Sequence, residues 1–126
     1  VLIAFDSKTG NVKRFINKLN MDAIQITAET KINQPFILVT YTTGFGQAPV
    51  TTMEFLRRNA HFLRGVASSG NMNWGTRYGR AADIISHMYA VPILLKFELS
   101  GTSRDVEQFL KEVGRIDNAN TEVDSA

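Results

Sequence analysis

The sequence predicts an α/β domain in three layers: a parallel sheet of five strands, ordered 2-1-3-4-5, with helices on both faces. Three observations lead there. Short apolar runs of strand length alternate with segments whose apolar residues recur at helical spacing. The first and third runs are apolar almost throughout, the pattern of strands covered on both faces. Polar, glycine-bearing stretches fall where strands hand over to helices, the end of such sheets at which ligands bind.

Each element has its own warrant. Val1-Leu2-Ile3-Ala4-Phe5 is the first strand. Val12, Phe15, Ile16 and Leu19 recur at i, i+3, i+4 and i+7, one stripe of an amphipathic helix. Ala23 to Thr27 alternates and predicts a short strand nearer the sheet edge, and Phe36 to Thr40, after Pro35, is a buried strand. Thr51 and Glu54 have capping-box spacing, with Met53, Leu56 and Ala60 as the apolar face behind them. Arg64 to Ser69, built largely from small residues, is the fourth strand. Tyr78, Ala81, Ala82, Ile85 and Met88 show helical spacing. Val91 to Phe97 is the fifth strand, with Pro92 tolerable near its start. Thr102 and Asp105 can cap a last helix whose inner face is Val106, Phe109, Leu110 and Val113. The domain is expected over residues 1–117, with 118–126 a polar tail that frays.

Composition narrows the chemistry. With 126 residues, 44% hydrophobic and 21% charged, the chain suits one globular core and is too apolar for disorder. No apolar run approaches the ~20 residues of a membrane span. The first apolar stretch is broken at Asp6 and Lys8, so no secretory signal is expected and the expected location is cytoplasmic. Cysteine is absent, which excludes disulfides, thiolate catalysis and cysteine metal sites. His61 and His87 are too far apart for a helix-borne metal pair and read as packing or surface residues. No metal site and no catalytic side chain is expected, so redox chemistry would have to come from a bound cofactor. The net charge of +2 hints at an acidic ligand or partner. Nucleic acid is not indicated, because Lys13-Arg14 and Arg57-Arg58 read as solvated helix faces without interleaved aromatics.

The first strand-to-helix loop is Ser7-Lys8-Thr9-Gly10-Asn11. A phosphate needs converging donors, and a helix N-terminus adds partial positive charge. Ser7, Thr9 and Asn11 offer side-chain donors and Gly10 allows close backbone approach. A plain helix cap is the alternative, but this density of small polar residues favours phosphate. No Gly-Lys-Ser/Thr follows and no dinucleotide fingerprint is present, which leaves a phosphate monoester. The second loop, Tyr41 to Pro49, has no charge and sets two glycines around Phe45, a backbone that can touch a flat ligand. It reads equally as an ordinary loop with Phe45 tucked into the core. The third, Ser69 to Gly79, places Trp74 and Tyr78 among glycines as a stacking platform, with Asn71 and Asn73 able to read a heterocycle edge. An aromatic lid on the sheet end is the alternative there. Phosphate pocket, ring contact and stacking wall together are what FMN requires. A phospho-receiver is excluded, since Asp6 stands without an acidic cluster and Tyr41-Thr42 occupy the nucleophile's place.

Four segments in order resemble the NrdI family, the flavodoxin-like accessory proteins of class Ib ribonucleotide reductase. They are Phe5-Asp6-Ser7-Lys8-Thr9-Gly10-Asn11-Val12, then Val39 to Gly46, then Ala67-Ser68-Ser69-Gly70-Asn71 through Trp74-Gly75, and Lys96 to Thr102. The resemblance runs from Phe5 to about Val113. Compared with ordinary flavodoxins the loop from Thr42 is short and Val12 replaces a hydroxyl residue, one phosphate donor fewer. The resemblance implies a flavodoxin-like fold and FMN as cofactor. It implies that the protein takes electrons from a flavin or flavodoxin reductase and reacts with dioxygen to release an oxidant, superoxide by preference. That oxidant would serve the dimanganese subunit of the reductase, where it assembles the tyrosyl radical cofactor.

Carried over by position, the phosphate site would be Ser7, Thr9, Gly10, Asn11 and Val12. The ring site would be Tyr41, Thr42, Thr43, Gly44 and Phe45 on one side. On the other it would be Ser69, Gly70, Asn71, Trp74, Gly75 and Tyr78. The Gly44 peptide would lie near flavin N5 and change orientation with redox state. The protein would thus be a redox accessory rather than an enzyme with an organic substrate. A general electron-transfer flavodoxin is the first alternative and a non-redox ligand-binding or interaction module the second. Residues 7–11, 41–50 and 69–80 contain Lys8, Arg77 and Arg80 and no Asp or Glu. That balance predicts two one-electron potentials lying close together; the alternative is that backbone hydrogen bonds at flavin N5 and N1 dominate and the charges are solvated.

Overall fold

The computed structural model describes residues 1–44 and 46–125, with Thr76 and 120–125 by backbone alone. The strands β1 (Leu2–Phe5), β2 (Ala23–Gln25), β3 (Phe36–Tyr41), β4 (Leu63–Gly70) and β5 (Ile93–Glu98) form one sheet. Every adjacent pair is parallel and the order is β2-β1-β3-β4-β5, as predicted. The helices are α1 (Asn11–Leu19), α2 (Val50–Asn59), α3 (Arg80–Tyr89) and α4 (Ser103–Ser125). Short 3-10 segments occupy Ala60–Phe62 and Met72–Arg77.

Two cores flank the sheet. Successive strand residues face opposite sides, so Ile3, Phe5, Ile37 and Val39 meet α1 and α4, while Ala4, Phe36 and Leu38 meet α2 and α3. On the first side the ring of Phe15 stacks on Phe97 at 4.1 Å and meets Phe109 edge-on at 5.5 Å. Such ring pairs add ~0.5–1.5 kcal/mol beyond their buried area. They tie α1, and so the loop that precedes it, to β5 and α4.

Helix ends and faces depart from expectation in three helices; on α4 Leu110 is 37% exposed, and the inner stripe is Val106, Phe109 and Val113. Thr51 and Glu54 form no capping box, because α2 begins at Val50 with extended Pro49 at its N-cap. The inward stripe is Thr52, Phe55, Leu56 and Asn59, one step out of phase with Met53 and Ala60. Its polar members, Thr52 and Asn59, carry no apolar periodicity. Met88 is 56% exposed and does not belong to the buried face of α3, which is Ala81, Ala82 and Ile85. The last helix continues to Ser125 through the stretch expected to be a tail from Asn118, since no proline interrupts it. Its start is capped as predicted: Thr102 N–H donates to Asp105 Oδ2 at 2.8 Å and Asp105 N–H to Thr102 Oγ1 at 3.1 Å. No described helix is long and apolar enough to cross a membrane.

Candidate functional site

Loops leaving the C-terminal ends of β1, β3, β4 and β5 enclose a cleft of about 360 Å³. Small-molecule sites typically occupy about 300–1,000 Å³. Ser7, Lys8 and Thr9, with Asn11 and Val12 at the start of α1, form one end. Gly10 is the N-cap at φ 94°, a left-handed conformation that side chains resist. No acidic residue stands in the first turn, so the positive end of α1 borders this part of the cleft uncompensated. Ser7 Oγ accepts from Lys13 N–H at 3.2 Å, which leaves its own O–H proton to donate.

The second loop is a closed structure of its own. Thr43 N–H donates to the Gln47 carbonyl at 2.7 Å and Gln47 N–H returns a bond of 2.8 Å, with Gly44 at φ 51° in the turn. Tyr41, Thr42, Thr43 and Gly44 all line the cleft, and Gly44 is exposed there. Phe45 lies outside the described residues. Gly46 packs on the third loop, where a Cβ would meet Arg80 Cδ at 3.0 Å and Arg77 Cβ at 3.2 Å. From that third loop Ser69, Gly70, Asn71 and Trp74 line the cleft, Trp74 being 38% exposed. Asn71 Oδ1 accepts from Asn73 N–H at 2.9 Å, which holds the amide within its own loop and leaves one lone pair and the N–H₂ group. Asn73, Gly75 and Tyr78 are not on the cleft wall: Gly75 marks an exposed kink at φ 57°, and Tyr78 lines a neighbouring hollow with Met72 and Glu98.

A fourth wall escaped the sequence reading. Leu99, 58% exposed and at φ 54°, closes the cleft from the β5–α4 turn. A non-glycine residue held there marks a constrained turn. The turn is tied to the third loop: Leu99 N–H donates to the Gly70 carbonyl and Glu98 Oε2 accepts from Met72 N–H at 2.9 Å. The sequence signal lies in Lys96 to Thr102, which spans the end of β5 and the turn after it, where Leu99 offers neither a hydrogen-bonding side chain nor an aromatic ring.

Lys8 is the only charged residue on the described cleft wall. Beneath it, Asp6 is a buried carboxyl whose pKa burial pushes up; hydrogen bonds from Thr52 and the Ser7 backbone pull the other way. Thr52 Oγ1 donates to Asp6 Oδ2 at 2.7 Å and lies 2.8 Å from Thr40 Oγ1, a buried polar chain from the first loop to α2. The Tyr41 phenol is pushed up by burial and then by Asp6; that of Tyr78 by burial, Asp105 and Glu98. Both therefore stay neutral donors at pH 7. The cleft thus offers hydroxyl, amide and helix-end donors at one end and an uncharged wall with Tyr41, Trp74 and Leu99 at the other. That combination fits a phosphate monoester carried on a flat aromatic body. His61 and His87 are exposed, and the described residues hold no cluster of three or more metal-ligating side chains.

The family model described as "NrdI Flavodoxin like" matches residues 3–111. The chain belongs to the NrdI flavodoxin-like family. It is 53% identical over 117 residues to Protein NrdI of Bacillus licheniformis, covering 92% of this chain and 89% of the relative. It is 49% identical over 128 residues to the SPbeta prophage-derived protein NrdI of Bacillus subtilis, covering 98% and 99%. Among solved structures, a short-chain flavodoxin associated with a bacterial microcompartment superposes with TM-score 0.75 at 17% identity, covering 94% of this chain and 97% of that one. Oxidised flavodoxin 2 from Bacillus cereus gives 0.66 at 20%, with the same coverage. These two likenesses establish the flavodoxin-like fold. NrdI membership and that fold together imply a flavin, the kind of ligand the donor set and the uncharged wall fit.

Proposed function

We propose that the chain is a cytoplasmic FMN protein which, once reduced by a flavin or flavodoxin reductase, supplies an oxidant made from dioxygen, superoxide by preference. The recipient is the dimanganese subunit of class Ib ribonucleotide reductase, for assembly of its tyrosyl radical. One observation supports the cofactor above all: phosphate-type donors and an uncharged, partly aromatic wall share a single cleft. Family membership supports the partner. FMN supplies the transfer of electrons to dioxygen; the chain binds and orients it. Ser7, Thr9 and Asn11, with the Gly10–Val12 backbone, hold the phosphate. Tyr41 to Gly44 and Ser69 to Asn71 border the ring edge, and Trp74 supplies the stacking face. Gly44 has no side chain, and among the described residues a Cβ there would meet Gln47 Oε1 at 3.8 Å; that open space supports a peptide able to turn beside the ring.

Thr9→Ala with Asn11→Ala should weaken FMN binding by about 2–4 kcal/mol through lost charge-assisted hydrogen bonds. Quenching of flavin fluorescence on titration measures it, and wild-type protein that takes up no FMN at micromolar concentration refutes the reading. A general electron-transfer flavodoxin is the second reading, favoured by the flavodoxins that share the fold. Manganese-loaded reductase subunit mixed with reduced protein and oxygen separates the two. Radical yield above the protein-free control is expected; a yield equal to that control favours the general carrier.

A further inference from the structure

Asn11 lines the cleft where the phosphate donors gather, and its carboxamide is useful there only in one orientation. Turned one way it offers two N–H donors, turned the other an acceptor that repels an anion. The structure contains a device that selects between them. Arg14 lies one turn further along α1, and its Nη2 donates to Asn11 Oδ1 at 2.6 Å. A guanidinium has donors only, so the amide atom facing it must be the oxygen. Ser100 Oγ, on the β5–α4 turn, donates to the same oxygen at 3.1 Å while accepting from Arg14 Nε at 3.0 Å. The guanidinium also lies across Gly10, where a Cβ would stand 2.8 Å from Nη1. With Oδ1 held by two donors, Nδ2 and its hydrogens are the part of the amide left for the cleft.

We infer that Arg14 is a positioning residue of the phosphate site, which acts through Asn11 by locking the amide with its N–H₂ group toward the ligand. The inference rests on the FMN reading above. The β5–α4 turn does not depend on Arg14 for its place. Lys18 Nζ donates to the Ser100 and Gly101 carbonyls at 3.2 and 3.0 Å. Gly101, at φ 75°, lies so close to Phe15 that a Cβ would stand 2.7 Å from its ring. Losing Arg14 therefore removes the partner of Oδ1 that cannot accept and leaves the Leu99 wall in place; the remaining Ser100 hydroxyl can pair with either end of the amide and no longer selects its orientation.

The test compares FMN with riboflavin, which has the same ring system and no phosphate, on wild type, Arg14→Met, Arg14→Lys and Asn11→Ala. Freeing one hydrogen-bonding amide corresponds to about tenfold in affinity. Arg14→Met and Arg14→Lys should each weaken FMN by about that factor and leave riboflavin within about twofold. Lysine fails because its ammonium, a point charge on a flexible stem, lacks the planar fork that holds Asn11 Oδ1 and Ser100 Oγ in one fixed geometry. In the Asn11→Ala background Arg14→Met should cost nothing further. Full rescue by lysine, or an undiminished loss in that background, would show that Arg14 acts as a charge on the phosphate, and overturns the inference. An equal loss for riboflavin overturns it too, as an effect on the fold. Wild-type protein that binds FMN no better than riboflavin refutes the phosphate-site reading itself, before any variant is compared.

Discussion

Asp6 is where a single residue connects the core to the site. It ends the first apolar run, directly before Ser7, with its carboxyl buried and bonded to Thr52 Oγ1 at 2.7 Å. Burial raises its folded-state pKa above the ordinary carboxylate value. The sign follows from linkage: between the unfolded and folded pKa values the native state binds more protons than the unfolded one. Stability from this group is therefore full below the unfolded value near 3.8 and falls as pH rises through the folded one. Asp6→Asn keeps an oxygen for Thr52 and removes the buried charge. Its urea midpoint at pH 7 should exceed wild type, and the advantage should vanish toward pH 4. A midpoint lower than wild type at pH 7 would mean that the charged hydrogen bond outweighs desolvation. In the sequence Asp6 stands out as the residue that breaks an apolar run and as an acid too isolated for a phospho-receiver, but not as a buried partner of α2. Its partner Thr52 was hidden, because an inward-facing threonine on α2 looks like any solvent-facing one until the strand across from it is in place.

At the scale of elements, glycines show which junctions are tight. Gly70 ends β4, and a Cβ on it would lie 2.6 Å from the Gly79 backbone nitrogen and 3.2 Å from its Cα. Backbone meets backbone there, with no flexible side-chain end to move aside. Gly70→Ala should therefore wedge β4 away from the start of α3, at a cost of about 1–3 kcal/mol. It should also displace the loop that carries Trp74. Gly114 has nothing within 4 Å of its would-be Cβ and sits inside α4. Gly114→Ala should stabilise by about 0.5–1 kcal/mol through helix propensity. Thermal melts of the two variants must move in opposite directions; an unchanged or raised melt for Gly70→Ala would put the close contact there in doubt, and a lowered one for Gly114→Ala the open space on α4. The element pattern itself was legible in outline. Strand cores and the Thr102–Asp105 cap followed from periodicity and spacing. The start of α2 did not, because Pro49 at the N-cap outcompeted the capping box that Thr51 and Glu54 suggested.

Across the whole molecule the strand order and the end of the sheet that carries the site were legible, because right-handed crossovers leave few arrangements for alternating elements. What alternation cannot convey is which residues from distant loops come to share a wall. Leu99 joins the cleft through its bond to Gly70, and Glu98 approaches Met72 from a strand the loop-by-loop charge count did not include. The electrostatics of the site are therefore those of the assembled wall. Among the described residues Lys8 is the only charge on it, Glu98 is turned to a backbone N–H of the third loop, and Asp6 lies beneath. On the FMN reading, the second electron leaves the ring region more negative, and no carboxylate on the wall opposes that step. Repulsion of about 1 kcal/mol at an effective dielectric near 20 would correspond to roughly 45 mV in a one-electron potential. Lys8→Glu supplies that repulsion. It should lower the potential for the second electron by at least about that amount and widen its separation from the first. The shift should shrink in 1 M salt, where the screening length falls to about 3 Å. An absorbance-monitored redox titration at low and high salt decides. Unchanged potentials at both would mean that the peptide at Gly44 governs the ring and that the charge of Lys8 is dissipated in solvent.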